Sequence, residues 1–384
     1  MNGAEAAEAA LAPAPVAAVA AATTVGGYAQ LQATWRFTGP EPVGEGTATV
    51  RRLVLFVGHD FSRWGAPLRA DVELEWENTV TTTGRPGSVE VEQAVVTWTP
   101  LGDAIQVRAG LLLVPMGIVN EHHDPPSFLG VDRPTFDQLV IPSTWRELGV
   151  ALGGRHGVLR WQAALLSPLD PTGFDDAGIV NGRTLGAVAP VDAAAFAARV
   201  EVQPRAGLVV GASGYGSDVG PTHAWANAAG ESLTLSLPVL GAEVDARFRG
   251  HGVEARAVGA YWALPESDDL MEALRPDGSP YFLAGAAPVP TAMLGGYVEL
   301  GWNVLQFADT DHALVPFVRL EHVDTQHAVP DGEAANPQRT LDEGTFGLCW
   351  RPIPTLAVKA DVQLSDRKYG DDAWGVDVGV GYLY

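Results

Sequence analysis

Apolar and polar residues alternate with period two along almost the whole chain from residue 27 onward. This is the signature of strands that turn one face to one medium and the other face to another. In residues 28–37, Ala29, Leu31, Ala33, Trp35 and Phe37 share one side, while Tyr28, Gln30, Gln32, Thr34 and Arg36 share the other. Residues 68–77 are cleaner still, with Leu68, Ala70, Val72, Leu74 and Trp76 set against Arg69, Asp71, Glu73, Glu75 and Glu77. The same criterion predicts strands near 27–38, 47–58, 67–78, 88–99, 104–114, 146–154, 157–167 and 193–203, then near 206–216, 237–249, 251–263, 291–304, 312–325, 340–351, 354–366 and 372–384. Their number, about sixteen, is even, and their lengths approach the ~9–11 residues that a tilted strand needs to cross a bilayer core.

The connectors alternate between short and long. Tight turns are expected at 99–103, 154–156, 204–205, 250–252 and 352–354, and long segments at 168–192, 217–236, 265–290 and 326–339. That is the order of periplasmic turns and outer loops in an antiparallel up-and-down transmembrane β-barrel. The expected organisation is therefore one barrel domain over 27–384, preceded by a flexible, Ala- and Pro-rich periplasmic tail over 1–26. The start of the chain has no basic region, so the tail reads as that of a mature chain whose export signal has been removed.

Aromatic residues gather near strand ends, as expected of an interfacial girdle: Trp35, Phe37, Trp76, Trp98, Trp161, Trp262, Trp302, Trp350, Trp374 and Tyr384. The final strand sets Trp374, Val376, Val378, Val380, Tyr382 and Tyr384 against Gly375, Asp377, Gly379, Gly381 and Leu383. It resembles the aromatic closing strand of outer-membrane barrels, and it must pair with residues 28–37 to leave no open edge in lipid.

Composition narrows the function. The 384 residues include 44 Gly, 28 Pro and 11 Trp, and the formal charge of −22 excludes a nucleic-acid partner, because a phosphate backbone would be repelled. With 47% apolar residues the chain is too apolar for acidic disorder. No charge-free apolar run of about 18 residues or more is present, so membrane residence must come from strands. The single cysteine, Cys349, sits in an alternating apolar stretch and reads as a small wall-filling residue rather than a thiol nucleophile.

One connector stands apart. Residues 115–146, the third outer loop, exceed ordinary loop lengths and run through Pro115, Gly117, Glu121, His122, His123, Asp124, Asp132, Arg133, Pro134, Asp137, Ile141, Pro142, Ser143 and Arg146 to Glu147 and Gly149. Over residues 108–154 the sequence resembles the phosphate-selective porin O and P family, through a strand ending in Gly, Pro and Gly, an Arg-Pro step, an Ile-Pro-Ser step and a Glu-x-Gly strand start. The resemblance implies a sixteen-stranded, often trimeric porin whose third loop folds into the lumen and narrows it. A barrel of ~16 strands is too wide for wall side chains to fill, and a long, Pro-stiffened polar loop suits a constriction.

Charges at such a constriction would set selectivity. The polar faces of the strands carry Arg36, Arg69, Arg108, Arg160, Arg199, Arg247, Arg249, Arg256, Arg319 and Lys359. Facing them are Asp71, Glu73, Glu75, Glu77, Glu90, Glu92, Glu201, Glu243, Asp245, Glu254, Glu299, Glu321, Asp361 and Asp377, so acid is slightly ahead. The loop adds only Arg133 and Arg146 beside Glu121, Asp124, Asp132 and Asp137, which departs from a phosphate-selective pattern. The charges favour passage of small hydrophilic solutes or ions, mildly favouring cations. An anion- or phosphate-selective porin is an alternative, and so is a structural or receptor-type barrel whose acidic outer loops bind a partner. Adjacent histidines in extended chain point opposite ways, so His122 and His123 are not expected to share a metal. No wall His lies beside a Ser at one depth, and His322 shares the lipid-side register of Val318 and Leu320, so neither an enzyme nor a cofactor is expected. The expected partners are outer-membrane lipid, permeating solutes and two further copies of the chain.

Overall fold

A computed structural model describes residues 22–38, 45–62, 65–78, 87–226, 231–274, 287–367 and 373–384. Sixteen antiparallel strands close into a barrel. In chain order they are β1 (Thr23–Thr38), β2 (Glu45–Asp60), β3 (Leu68–Glu77), β4 (Ser88–Trp98), β5 (Gln106–Leu113), β6 (Arg146–His156), β7 (Leu159–Leu166) and β8 (Ala195–Arg205). There follow β9 (Leu208–Asp218), β10 (Pro238–Gly250), β11 (Val253–Ala263), β12 (Ala292–Trp302), β13 (Ala313–Ala328), β14 (Thr340–Ile353), β15 (Leu356–Arg367) and β16 (Ala373–Leu383). Each starts and stops within four residues of its sequence expectation. The largest shift is at β1, where Thr23–Gly26 pair with His59–Phe56, so the barrel begins inside the segment expected as tail. The rest of that expected tail, residues 1–21, lies outside the described residues.

Closure is made by β1 and β16, from Tyr28 opposite Leu383 to Thr38 opposite Ala373. The aromatic terminus completes the seam, because the Tyr384 backbone exchanges two hydrogen bonds with Gly27 and its hydroxyl donates to the Val54 carbonyl at 3.2 Å. Burial is inverted relative to a soluble sheet. On β13, Leu320 is 54% exposed while its neighbours Arg319 and Glu321 are 1% and 5% exposed. Outward apolar side chains thus form the lipid-facing band, and charged side chains turn inward. No helix among the described residues is long and apolar enough to cross a membrane.

Among the register shifts between the described strands, two bear on the inner wall near the long loop. Between β1 and β2 the register slips at Gln30/Leu31, leaving Arg51 without an opposite residue, and between β3 and β4 it slips at Glu73/Leu74, leaving Glu92 extra. Each bulge lets two successive residues, Arg51 with Arg52 and Glu92 with Gln93, turn to the inner side. The expected girdle also needs one correction. Trp262 is fully buried on the inner face, in register with Arg256, and its neighbour Tyr261 takes the outward position. Cys349 is buried among Leu129, Val315, Phe317 and Ala357.

Leu320→Arg puts a charge at mid-strand on the outward face and is expected to cost roughly 2–4 kcal/mol. Denaturant unfolding from lipid vesicles reads this directly, and an unchanged midpoint would refute the outward assignment.

Candidate functional site: the long loop and the inner wall

Residues 114–145 join β5 to β6, and Arg146, at which the expected loop and the expected strand overlapped, opens β6. The loop's neck is closed by one buried amide. Asn120 donates to the carbonyls of Val114 (2.8 Å) and Trp145 (3.2 Å) and accepts from the Trp145 backbone N–H (2.7 Å), so both ends are held to one side chain. Gly117 starts a short helix, α1 (Ile118–Glu121), at φ 77°, where a side chain would be strained and would also meet Ile141 at 2.8 Å.

The loop is not the polar segment that its prolines and acids suggested. Met116, Ile118, Val119, Phe136, Val140, Ile141 and Trp145 are all buried, packed with inner-wall residues such as Tyr215, Val258, Trp262 and Tyr297 into one apolar cluster. Trp145 stacks obliquely on Tyr215 and Trp262 at 5.1 and 5.9 Å. Outer-loop residues join the same cluster, among them Leu169, Phe174 and Leu270 of the helix α3 (Ser267–Leu274). Burying these side chains, at ~1.5–3 kcal/mol each, gives the loop one position.

Its polar groups find partners around the barrel wall. Gln30 of β1 donates to the Val131 carbonyl (2.9 Å), and Gln32 to Asp132 (3.4 Å). From β15, Lys359 donates to the Gly130 carbonyl (2.7 Å) and lies 3.7 Å from the Phe128 ring centre, while Asp361 accepts from the Val131 N–H (2.6 Å). Glu321 of β13 accepts from the Phe136 N–H at the start of α2 (Phe136–Leu139), and Glu343 of β14 accepts from Thr135. On β11, Trp262 donates to the Val140 carbonyl and Arg256 to that of Ser127. The glycine face of β16 makes room for this seating, because a Cβ on Gly381 would lie 2.2 Å from Pro125.

Most wall charges are paired, across strands or two residues apart along one strand. Arg199 reaches Glu201, Glu243 and Asp245 at 3.1, 3.0 and 2.5 Å, and Arg247 pairs with Glu201. Arg319 meets Glu321 (2.6 Å) and Glu299 (3.5 Å), with Arg256 on Glu299 at 3.7 Å. Arg36 pairs with Asp377, Arg69 with Asp71, Arg52 with Glu75, and Arg146 with Glu90. In the loop, Glu121 pairs with Arg160 at 3.6 Å, and Arg133 is buried, donating to Ser143 and to the His123 carbonyl. His122 and His123 part, as their extended spacing suggested: His122 is exposed beside Arg160 and Arg247, while His123 is buried against Glu73 and Glu92. Asp124 is half-buried next to the short turn that follows it.

Several contributors escaped sequence reasoning. Arg51, Arg52 and Arg183 line a cavity of about 190 Å³ with Arg133, Glu77 and Asp132 on the outer-loop side. On the short-turn side, Arg155, Arg160, Arg247, Arg249 and Arg256 line a cavity of about 460 Å³ with Glu201 and Glu254. A further cavity of about 490 Å³ is lined by Arg69, Asp71, Glu73 and Arg108.

Asp137 is fully buried, and neither of its carboxyl oxygens has a hydrogen-bond partner among the described residues. Burial, and then the Glu321 carboxylate, push its pKa well above the usual range. Burial pulls His123 down, but Glu92 and hydrogen bonds with Glu73 and Glu92 outweigh that and lift it to about 9.

No family model matches the sequence. An uncharacterized protein of Aquifex aeolicus (strain VF5) is 28% identical over 349 residues, which cover 90% of this chain and 76% of that protein. In structure the chain is similar to Pseudomonas putida OprB (TM-score 0.59, 11% identity, 94% of each chain) and to Salmonella typhi OmpF (0.59, 12%, 94% of this chain and 97% of that one). It is also similar to the trimer form of Vibrio cholerae OmpT, an outer membrane protein (0.52, 12%, 94% and 100%). At these identities the likeness is one of fold. The closed sixteen-stranded wall and its outward apolar band make the chain a porin-like barrel of the bacterial outer membrane.

Two outcomes are expected here. A raised folded-state pKa means that Asp137 stabilises the fold most below the ordinary aspartate range, and that this stability is lost as pH rises through the raised value. Asp137→Asn should therefore raise the unfolding free energy at pH 8 by on the order of 1 kcal/mol, read by denaturant titration, with the gain shrinking toward pH 4. Gly381→Leu should displace Pro125 and make residues 114–145 more susceptible to protease while the heat-modifiable barrel band persists; unchanged cleavage would count against this seating.

Proposed function

We propose that the barrel is a passive channel for small hydrophilic solutes or ions, with residues 114–145 lying across its lumen as the constriction. The observation that carries this reading is the spread of the loop's partners over β1, β3, β4, β7, β11, β13, β14 and β15. A segment bonded to inward side chains on so many strands has little room except inside the wall. Cavities on its outer-loop and short-turn sides leave space for water and solute. The inward charged side chains would then line the route, and the chemistry is diffusion, without catalysis or cofactor.

Anion preference is the second reading, and the arginine-lined cavities favour it. Most wall acid is tied up in ion pairs, as are most of the cavity arginines, but arginine still outnumbers acid there, four to two in the outer cavity and five to two in the inner one, and Arg155 and Arg183 have no ion pair among the described residues. This fits the resemblance of residues 108–154 to phosphate-selective porins better than the loop's own charges do. Trimeric assembly is consistent with the OmpT trimer form of the same fold.

Single-channel recording of the folded chain in a planar bilayer tests both readings. Conductance should rise when residues 124–140 are shortened. The reversal potential under a salt gradient should have the anion sign and move toward cations in Arg51→Glu/Arg133→Glu. Folded protein without conductance would sink the channel reading and favour a receptor-type barrel, and a cation-signed potential would sink the anion reading alone.

A further inference from the structure

His123, Glu73 and Glu92 meet where three elements converge. Glu73 lies on the inner face of β3, Glu92 is the extra residue of the β4 bulge, and His123 follows α1 at the loop's entry. His123 Nε2 is 3.3 Å from Glu92 Oε1 and 3.8 Å from Glu73 Oε1, and the three side chains are 7%, 0% and 6% exposed. The bulge is what makes this possible, since regular alternation could not turn both Glu92 and Gln93 toward the same interior.

The surroundings orient each group. His123 Nδ1 is 3.1 Å from the Asn120 carbonyl, which can only accept, so Nδ1 carries a proton, and once Nε2 gives up its own proton it presents a lone pair between the two carboxylates. Gln93 donates to Glu73 Oε2 at 2.7 Å, turning Oε1 toward the ring. Glu73 Oε1 and both oxygens of the fully buried Glu92 have no partner among the described residues other than the His123 ring. Buried carboxylate oxygens in that condition are expensive unless something cationic completes them.

We propose that Glu73, Glu92 and His123 bind a divalent transition-metal ion of the zinc class and so pin the loop to β3 and β4. One imidazole and two carboxylates form an N/O donor set suited to such ions. Bonds of ~2.0–2.2 Å about a tetrahedral centre separate ligand atoms by ~3.3–3.6 Å, so the observed separations need only small adjustments. The Asn120 carbonyl and the Gln93 amide are the outer partners that such a site requires. Glu73 also lines the cavity of about 490 Å³, which supplies a route of entry.

Local charge agrees. The carboxylates of Glu73, Glu75 and Glu92 face the guanidiniums of Arg52 and Arg133, leaving one negative charge when His123 is neutral. A proton on Nε2 answers the same demand, so the metal displaces that proton on binding. The site is independent of whether the barrel conducts.

The full chain, folded in detergent micelles and stripped with EDTA, is titrated with Co²⁺ as the spectroscopic probe and Zn²⁺ as competitor. One saturating equivalent of Co²⁺ per chain with visible ligand-field absorption, abolished by Zn²⁺, is expected. Glu92→Gln and His123→Gln should each weaken binding at least ~10-fold while the heat-modifiable band shows an intact barrel. Absorption unchanged in both variants would overturn the proposal. If neither variant folds, the wild-type titration decides alone, because folded wild-type chain without saturable one-equivalent absorption overturns it too.

Discussion

Everything in this molecule depends on the requirement that no backbone N–H or C=O be left unpaired in hydrocarbon. A sheet meets it only by closing, so β1 must meet β16, and the pairing of Tyr28 with Leu383 through Thr38 with Ala373 is the seam on which the other strands rely. Closure with sixteen strands then creates a second problem. The interior is too wide for wall side chains to fill, yet the chain must hold one structure there. On the reading proposed above, the 114–145 segment, bonded to inward side chains of β1, β11, β13 and β15, answers it.

That segment is held by two kinds of force on two sides of the barrel. Toward β9–β12 it packs apolar surface, with Trp145, Phe136 and Ile141 against Tyr215, Trp262 and Tyr297. Toward β1, β3 and β15 it is held by hydrogen bonds and buried charge, with Gln30, Glu73, Lys359 and Asp361 as the wall partners. The apolar side supplies most of the stabilisation, since buried charge pairs do little better than break even against desolvation. The charged side supplies register, because an acid or guanidinium left without its partner there is costly. The Asn120 amide closes the neck, so both sets of contacts act on one compact unit.

Local pattern and long-range placement separate clearly along this chain. Strands such as Leu68–Glu77 were legible because a two-residue period records which medium each side chain meets, and that record is complete within ten residues. The alternation of short turns and long loops was legible for the same reason, as was the parting of His122 from His123. Trp262 was assigned to the girdle because it lies near a strand end, but its inward register puts it under Val140. Arg51, Arg52 and the Glu92 bulge were hidden because a bulge shifts the period by one without any Gly or Pro to announce it. The loop's apolar core was hidden because its apolar residues carry no period that identifies their partners.

The sequence by itself therefore determined the wall: sixteen strands, their faces, their closure and the outlying length of one loop, all set by the contrast between lipid and water across each strand. Only the tertiary structure decided the interior. Which arginines share a cavity, which carboxylates stand beside His123, and why Gly381 must lack a side chain all depend on residues thirty to more than two hundred positions apart being brought within contact distance. Nothing in a local pattern encodes such a meeting, because its energy exists only once the barrel has closed around it.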